Sequence, residues 1–183
     1  MVKQYEQITS EPELQEIAKA GLEKLRNVLK YTHSDDLGAG LYSYRYSSME
    51  AFYAVSESVM QRFINGEENV EPSVKSMLRM IAGTDIGAGA LGLLDISSEE
   101  ETKIYDIISL ITDAKETPDT PCYIKEVISK AFDTISSPHI FESYLLSMRI
   151  STFIKVTRYF GLSVQDIFGG NFYRYCDELY NND

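Results

Sequence analysis

SSMEAFYAVSESVMQRFINGEENVEPSVKSMLRMIAG at 47–83 and TPCYIKEVISKAFDTISSPHIFESYLLSMRISTFIKVTRYFGLSVQDIFGG at 120–170 read alike. Each is a run of short helices, with a polar, Ser-rich turn before a compact helix and a more apolar supporting helix behind it. A compact helix backed in this way can be presented to a groove. The expected fold is therefore mainly α, built from an acidic helical module over 1–96 and a helix-turn-helix-like module over 97–183.

Outside these stretches the helical pattern continues. Residues 12–30 open on Pro12 and place Leu14, Ile17, Ala18, Leu22, Leu25, Val28 and Leu29 on one side, the recurrence of an amphipathic helix of about five turns. Gly38 and Gly40 precede Leu41-Tyr-Ser-Tyr-Arg-Tyr46, which reads as a short strand or an irregular linker. Pro72 opens a helix with Val74, Met77, Leu78 and Ile81 on its apolar side, closed by Gly83. The four glycines of 83–94 match no phosphate-loop spacing and read as a packed hinge between the halves, because glycine allows close backbone approach.

In the second half, helices are expected near 98–113, 122–132, 138–147, 151–160 and 163–168, with a last one over 171–179. Acids crowd the first turn of 98–113, where the helix dipole favours them, and Ile104, Ile107, Ile108 and Ile111 supply its buried stripe. Pro138 opens the helix carrying Ile140, Phe141, Tyr144 and Leu145.

These motifs carry a resemblance to the Cro and lambda repressor-like (Xre) helix-turn-helix family. In the first half it rests on the Ser56-Glu-Ser58 turn, and it implies a recognition helix over Ser56–Ile64 ended by Asn65-Gly66. In the second it rests on the ending Leu162-Ser-Val-Gln-Asp-Ile-Phe-Gly169, and it implies that Ser136–Tyr144 holds the turn and recognition helix. Five helices in the second half agree with the family's helix count. The turn Asp133-Thr-Ile-Ser136 departs from the small, glycine-bearing turn of the family, and the first half departs in the Gly- and Tyr-rich stretch that separates its opening helix from the match. What the family resemblance implies is DNA binding, commonly as a dimer.

Charge works against the simplest version of that implication. With 28 acids against 17 bases the formal net charge is −11, which opposes nonspecific attraction to phosphate. The imbalance is uneven: residues 1–120 hold 21 acids and 11 bases, while 121–176 hold 4 acids and 6 bases. Double-stranded DNA is therefore expected to meet 121–176. The candidate contacts are Arg62 in the first recognition-like helix, then Lys130, His139, Ser143, Arg149, Lys155 and Arg158 around the second. Glu67, Glu68 and Glu71 follow the first such helix and would repel a passing phosphate backbone.

A rival reading takes the acidic surface as the functional one. The 13 tyrosines include Tyr42, Tyr44 and Tyr46 around Arg45, and Tyr173, Tyr175 and Tyr180 around Arg174. Tyrosine supplies contact area and a polar tip at modest entropic cost, so both clusters serve an interface or a core equally well. Together with Glu67, Glu68 and Glu71 they suit an acidic inhibitor or adaptor that occupies a basic nucleic-acid-handling protein, as phage-encoded anti-CRISPR proteins do. The leading reading is a non-enzymatic regulator of phage or mobile-element type that contacts DNA, with a homodimer formed through 171–180.

Other chemistries find little in the residues. His33 and His139 lie in separate segments, Cys122 and Cys176 have neither metal nor redox spacing, and no HExxH or GxSxG is present. Neither a metal, a cofactor nor a catalytic group is expected. Part-buried free thiols in a reducing cytoplasm are the corresponding expectation, with a Cys122–Cys176 disulfide as the alternative, and no membrane association is expected, since no stretch approaches 18 apolar residues.

Overall fold

A computed structural model describes residues 6–32, 62–76 and 104–162. Five helices are bounded there: α1 (Glu11–Thr32), α2 (Ile104–Thr112), α3 (Cys122–Asp133), α4 (Pro138–Ser147) and α5 (Ile150–Phe160). Residues 62–64 and 74–76 are helical as well. Among the described residues there is no sheet, and the extended pairing is one isolated antiparallel bridge between Ser73 and Arg149. The mainly helical expectation is met. The 41–46 stretch, read as a short strand or an irregular linker, residues 56–61 of the first recognition-like helix, the 83–97 hinge and the 163–168 and 171–179 helices lie outside the described residues.

Each helix buries the stripe that its sequence period dictates. Ile107, Ile108 and Ile111 of α2 are buried, as are Ile124, Val127, Ile128 and Ala131 of α3, and Leu14, Ala18 and Leu25 of α1. Alpha5 is inward-facing over most of its circumference, with Ile150, Phe153, Ile154, Val156 and Phe160 buried. It packs chiefly against α1, while α2 packs on α3 and α4. Full burial of Phe63, Phe141, Phe153 and Phe160 stabilises the core by roughly 1.5–3 kcal/mol each.

Ala18, Leu25, Phe63, Ile64 and Val74 join the residues of α2–α5 in a single cluster. The described parts of 1–96 and 97–183 thus share one core. Arg26 of α1 fastens part of it: its Nε donates to the Phe63 carbonyl at 2.9 Å and its guanidinium lies 4.9 Å from the Phe63 ring centroid.

Two glycines end helical segments. Gly66 (φ 80°) donates to the Phe63 carbonyl while Glu67 donates to that of Arg62, and Gly161 (φ 64°) donates to Arg158 while Leu162 donates to Thr157. Both are Schellman closures, which need a left-handed residue. Asn65-Gly66 is therefore a terminating turn. Between α2 and α3 the chain reverses through Thr117-Pro-Asp-Thr120, where the buried Thr120 hydroxyl oxygen accepts the Thr117 N–H at 2.8 Å.

Candidate nucleic-acid interface

Alpha4 is shaped by an uneven distribution of apolar residues. Pro138 occupies its first turn, and Phe141, Leu145 and Leu146 face the core. His139, Ser143 and Ser147, spaced by one turn each, form an exposed stripe. The Ser143 hydroxyl donates to the His139 carbonyl at 2.9 Å and the Ser147 hydroxyl to the Tyr144 carbonyl at 2.7 Å. With their protons turned inward, the serines offer lone pairs outward, as acceptors.

The cations divide into engaged and outward-facing groups. Lys155 Nζ stands 3.5 Å from Glu11 Oε1 and 4.2 Å from the Tyr123 ring centroid, and its side chain is 12% exposed. Tyr123 completes the arrangement by donating to Glu11 Oε2 at 2.6 Å. Burial pushes the Glu11 carboxyl up, but the bonds from Tyr123 and Gln15 and the Lys155 charge outweigh it and hold the group below its ordinary value. Burial, then the bond to Glu11, raises the Tyr123 phenol. Lys155 therefore ties α5 to α1 and α3.

Lys130 is half-buried and lies 6.0 Å from the Tyr144 ring centroid. Burial and then the neighbouring Glu126 carboxylate push the Tyr144 phenol up to about 12. Arg62 is exposed and forms a two-pronged ion pair with Glu67, one arm of which measures 2.6 Å. That bond raises the Arg62 pKa and lowers that of Glu67.

Arg149 and Arg158 are exposed at the two ends of α5. Arg158 sits in the last turn, where the helix dipole favours a cation. The two arginines are nine positions apart, about 13 Å along the axis and half a turn out of phase. His139 and Ser143 share a stripe, whereas the arginines do not share one face of α5.

Of the acids expected at a protein interface, Glu67 pairs with Arg62, and Glu68 is exposed. Glu71 caps α5: its carboxylate accepts the Ser151 N–H at 2.8 Å and the Ser151 hydroxyl at 2.6 Å. Tyr42, Tyr44, Tyr46, Tyr173, Tyr175 and Tyr180 lie outside the described residues, as do His33 and Cys176. Cys122, expected part-buried, is exposed, because as the first residue of α3 it lies off the stripe of Ile124, Val127 and Ile128.

Sequence reading passed over an apolar corner between α3 and α4, where Phe132, Ile135 and Ile140 are 55%, 52% and 44% exposed. Phe132 stands four positions after Ile128, at helical spacing for the buried α3 stripe, yet is exposed at the end of that helix, which the period does not signal. Ile140 lies on the helix expected behind Pro138, but it precedes the inward Phe141 and faces out. Elsewhere, an open groove of about 720 Å³ is lined by Gln7, Asp106, Asp113, Lys115 and Tyr159, among others. Among the described residues, no group of three or more His, Cys, Asp or Glu could hold a metal ion, and no helix is long and apolar enough to cross a membrane.

Comparison with protein families, with curated proteins and with solved structures gives no match.

Proposed function

We propose that the chain is a non-enzymatic regulator that contacts duplex DNA through α4. The observation that carries this reading is the outward stripe of His139, Ser143 and Ser147 on a short helix buttressed by Phe141, Leu145 and Leu146. A helix so held brings a side chain to a base edge only if nearby cations also hold phosphate. Arg149 and Arg158, exposed at the two ends of α5, are assigned that part in this reading, and residues 121–162 hold five bases against three acids. In this reading Lys155 serves the fold, while Lys130 lies beside the Tyr144 ring and Arg62 is paired with Glu67.

Anisotropy of labelled random and genomic duplexes, titrated across a salt series, tests the reading. Binding should weaken as salt rises, and no binding by the wild type at low salt sinks it.

A second reading is favoured by the corner of Phe132, Ile135 and Ile140. Three large exposed apolar side chains within nine positions of the chain suit a protein partner. The chain's net charge of −11 selects a basic one, such as a nucleic-acid-handling protein.

A further inference from the structure

Charge is divided along the second half of the chain. Residues 104–120 hold four acids, Asp106, Asp113, Glu116 and Asp119, against Lys115, whereas 121–162 hold five bases against three acids. The acidic stretch lines the open groove of about 720 Å³. One wall is formed by the exposed Asp106, Ser109 and Asp113, which recur at helical spacing; Asp113 keeps that spacing because its N–H still donates to the Ser109 carbonyl at 2.9 Å. Another is the N-terminal segment, where Gln7 and Thr9 are exposed and the half-buried Ile8 between them donates its N–H to the Arg158 carbonyl at 3.1 Å. Leu110, Ala114 and Tyr159, each half-buried, add apolar surface.

The carboxylates of this groove differ from those that hold the fold. Glu11, Glu67 and Glu71 are engaged by Tyr123, Arg62 and Ser151, whereas neither Asp106 nor Asp113 has a side-chain hydrogen bond or ion pair among the described residues. Seven helical positions set the two about 10 Å apart along the wall. That separation excludes a single metal ion, which needs its oxygen ligands at about 2–2.6 Å. It suits two cations on one extended chain.

We infer that the groove docks an extended, Arg- or Lys-bearing segment of a partner protein, with two cations at Asp106 and Asp113 and the stems between them on Leu110, Ala114 and Tyr159. In a polyproline II segment, residues three apart share a face and lie about 9 Å apart, close to the spacing of the carboxylates. An arginine can lay its stem on apolar surface while its guanidinium meets a carboxylate or the face of Tyr159. Lys115 offsets part of the acidic charge, and the four-to-one balance of 104–120 keeps the local field attractive to cations. The inference stands apart from both readings above, since neither α4 nor Phe132, Ile135 and Ile140 line the groove.

Anisotropy of a fluorescein-labelled peptide, Arg-Pro-Ala-Arg-Pro-Ala, titrated with the full chain at low salt tests the site. The wild type should bind it and ignore the same peptide with Glu in place of Arg. Asp106→Asn with Asp113→Asn should weaken binding about fivefold, the combined effect of two exposed ion pairs. The control removes the same charge elsewhere: Glu16→Gln with Glu68→Gln, both exposed and outside the groove lining, should change affinity little. Asp106 also sits in the first turn of α2, where the helix dipole favours an acid. Ser109→Lys therefore supplies a second arm, since it keeps both acids and sets a cation between them, and it should abolish binding while the urea midpoint holds. No binding by the wild type overturns the site. Equal losses in the two charge-matched pairs reduce it to general attraction by an acidic chain and overturn it as well, as does full binding by Ser109→Lys.

Discussion

Glu71 caps a helix that begins 79 positions further along the chain, its carboxylate oxygens lying 2.6 and 2.8 Å from the Ser151 hydroxyl oxygen and backbone nitrogen. Arg149, the N-cap residue of α5, makes no side-chain cap bond, so the first-turn N–H groups need an acceptor from elsewhere. A carboxylate meets that need and also faces the positive end of the helix dipole. Glu71→Ala is expected to lower stability by about 1–2 kcal/mol, read as a lower urea midpoint. Glu71→Lys should cost more, because it sets a cation against the same helix end. An unchanged midpoint in Glu71→Ala removes the cap from the account of the fold.

Lys155 gives a second stability test. Its amine lies between the Glu11 carboxylate and the Tyr123 ring, and its stem is largely covered. Lys155→Met keeps the stem and removes the charge, so a loss of about 1 kcal/mol is expected, mostly from the cation–π and ionic contacts. Lys155→Ala should lose more by uncovering α1. Duplex affinity, where present, should change little in either variant, since this lysine is turned to the fold.

The same cluster predicts a pH dependence. Glu11 has a lowered folded pKa, so its contribution is present above the unfolded value, near 4.5, and is lost as pH falls through the folded one. Tyr123 has the opposite sign: its raised folded pKa gives stability that is full below about 10 and falls as pH rises beyond. Urea midpoints across pH should therefore decline at both limits. Glu11→Gln should flatten the acid decline, and an undiminished decline in that variant assigns it to other carboxylates.

Gly161 tests a helix ending. At φ 64° it permits the Leu162 N–H to reach the Thr157 carbonyl at 2.8 Å, and Leu162 is buried beyond it. Gly161→Ala must hold a Cβ in the left-handed region, with an expected cost of about 1 kcal/mol. Thermal unfolding followed by circular dichroism measures it, and an unshifted midpoint shows that the closure relaxes without loss.

The helices were legible because their periods are strong. Ile107, Ile108 and Ile111 mark α2 and Ile124, Val127, Ile128 and Ala131 mark α3, each at helical spacing and each buried. Pro138 and the Asn65-Gly66 turn were legible for local reasons, since proline suits a first helical turn and glycine a left-handed close. The roles of individual charges were not legible. Lys155 meets Glu11 and Tyr123, and Glu71 meets Ser151, across separations that only tertiary packing creates. Charge counts over 121–176 could not distinguish such tied residues from outward-facing ones.

The outward-facing arginines carry the functional test. If α4 reads duplex DNA, Arg149 and Arg158 supply phosphate contacts, and replacing both by Ala should weaken binding to all sequences and reduce the salt slope by up to about 2. They project from opposite sides of α5, so two lesser slopes in the single variants would mean that both reach phosphate, whereas one silent single variant would assign the contact to the other end. Replacing Phe132, Ile135 and Ile140 by Ser should leave duplex binding and its salt slope intact. On the adaptor reading the outcomes exchange: the arginine pair matters little, and the triple serine variant loses capture of a cationic protein such as a purified basic nuclease while its urea midpoint holds, because these side chains are already exposed. Anisotropy at two salt concentrations and pull-down with the same two variants therefore separate the readings by which variant fails in which assay.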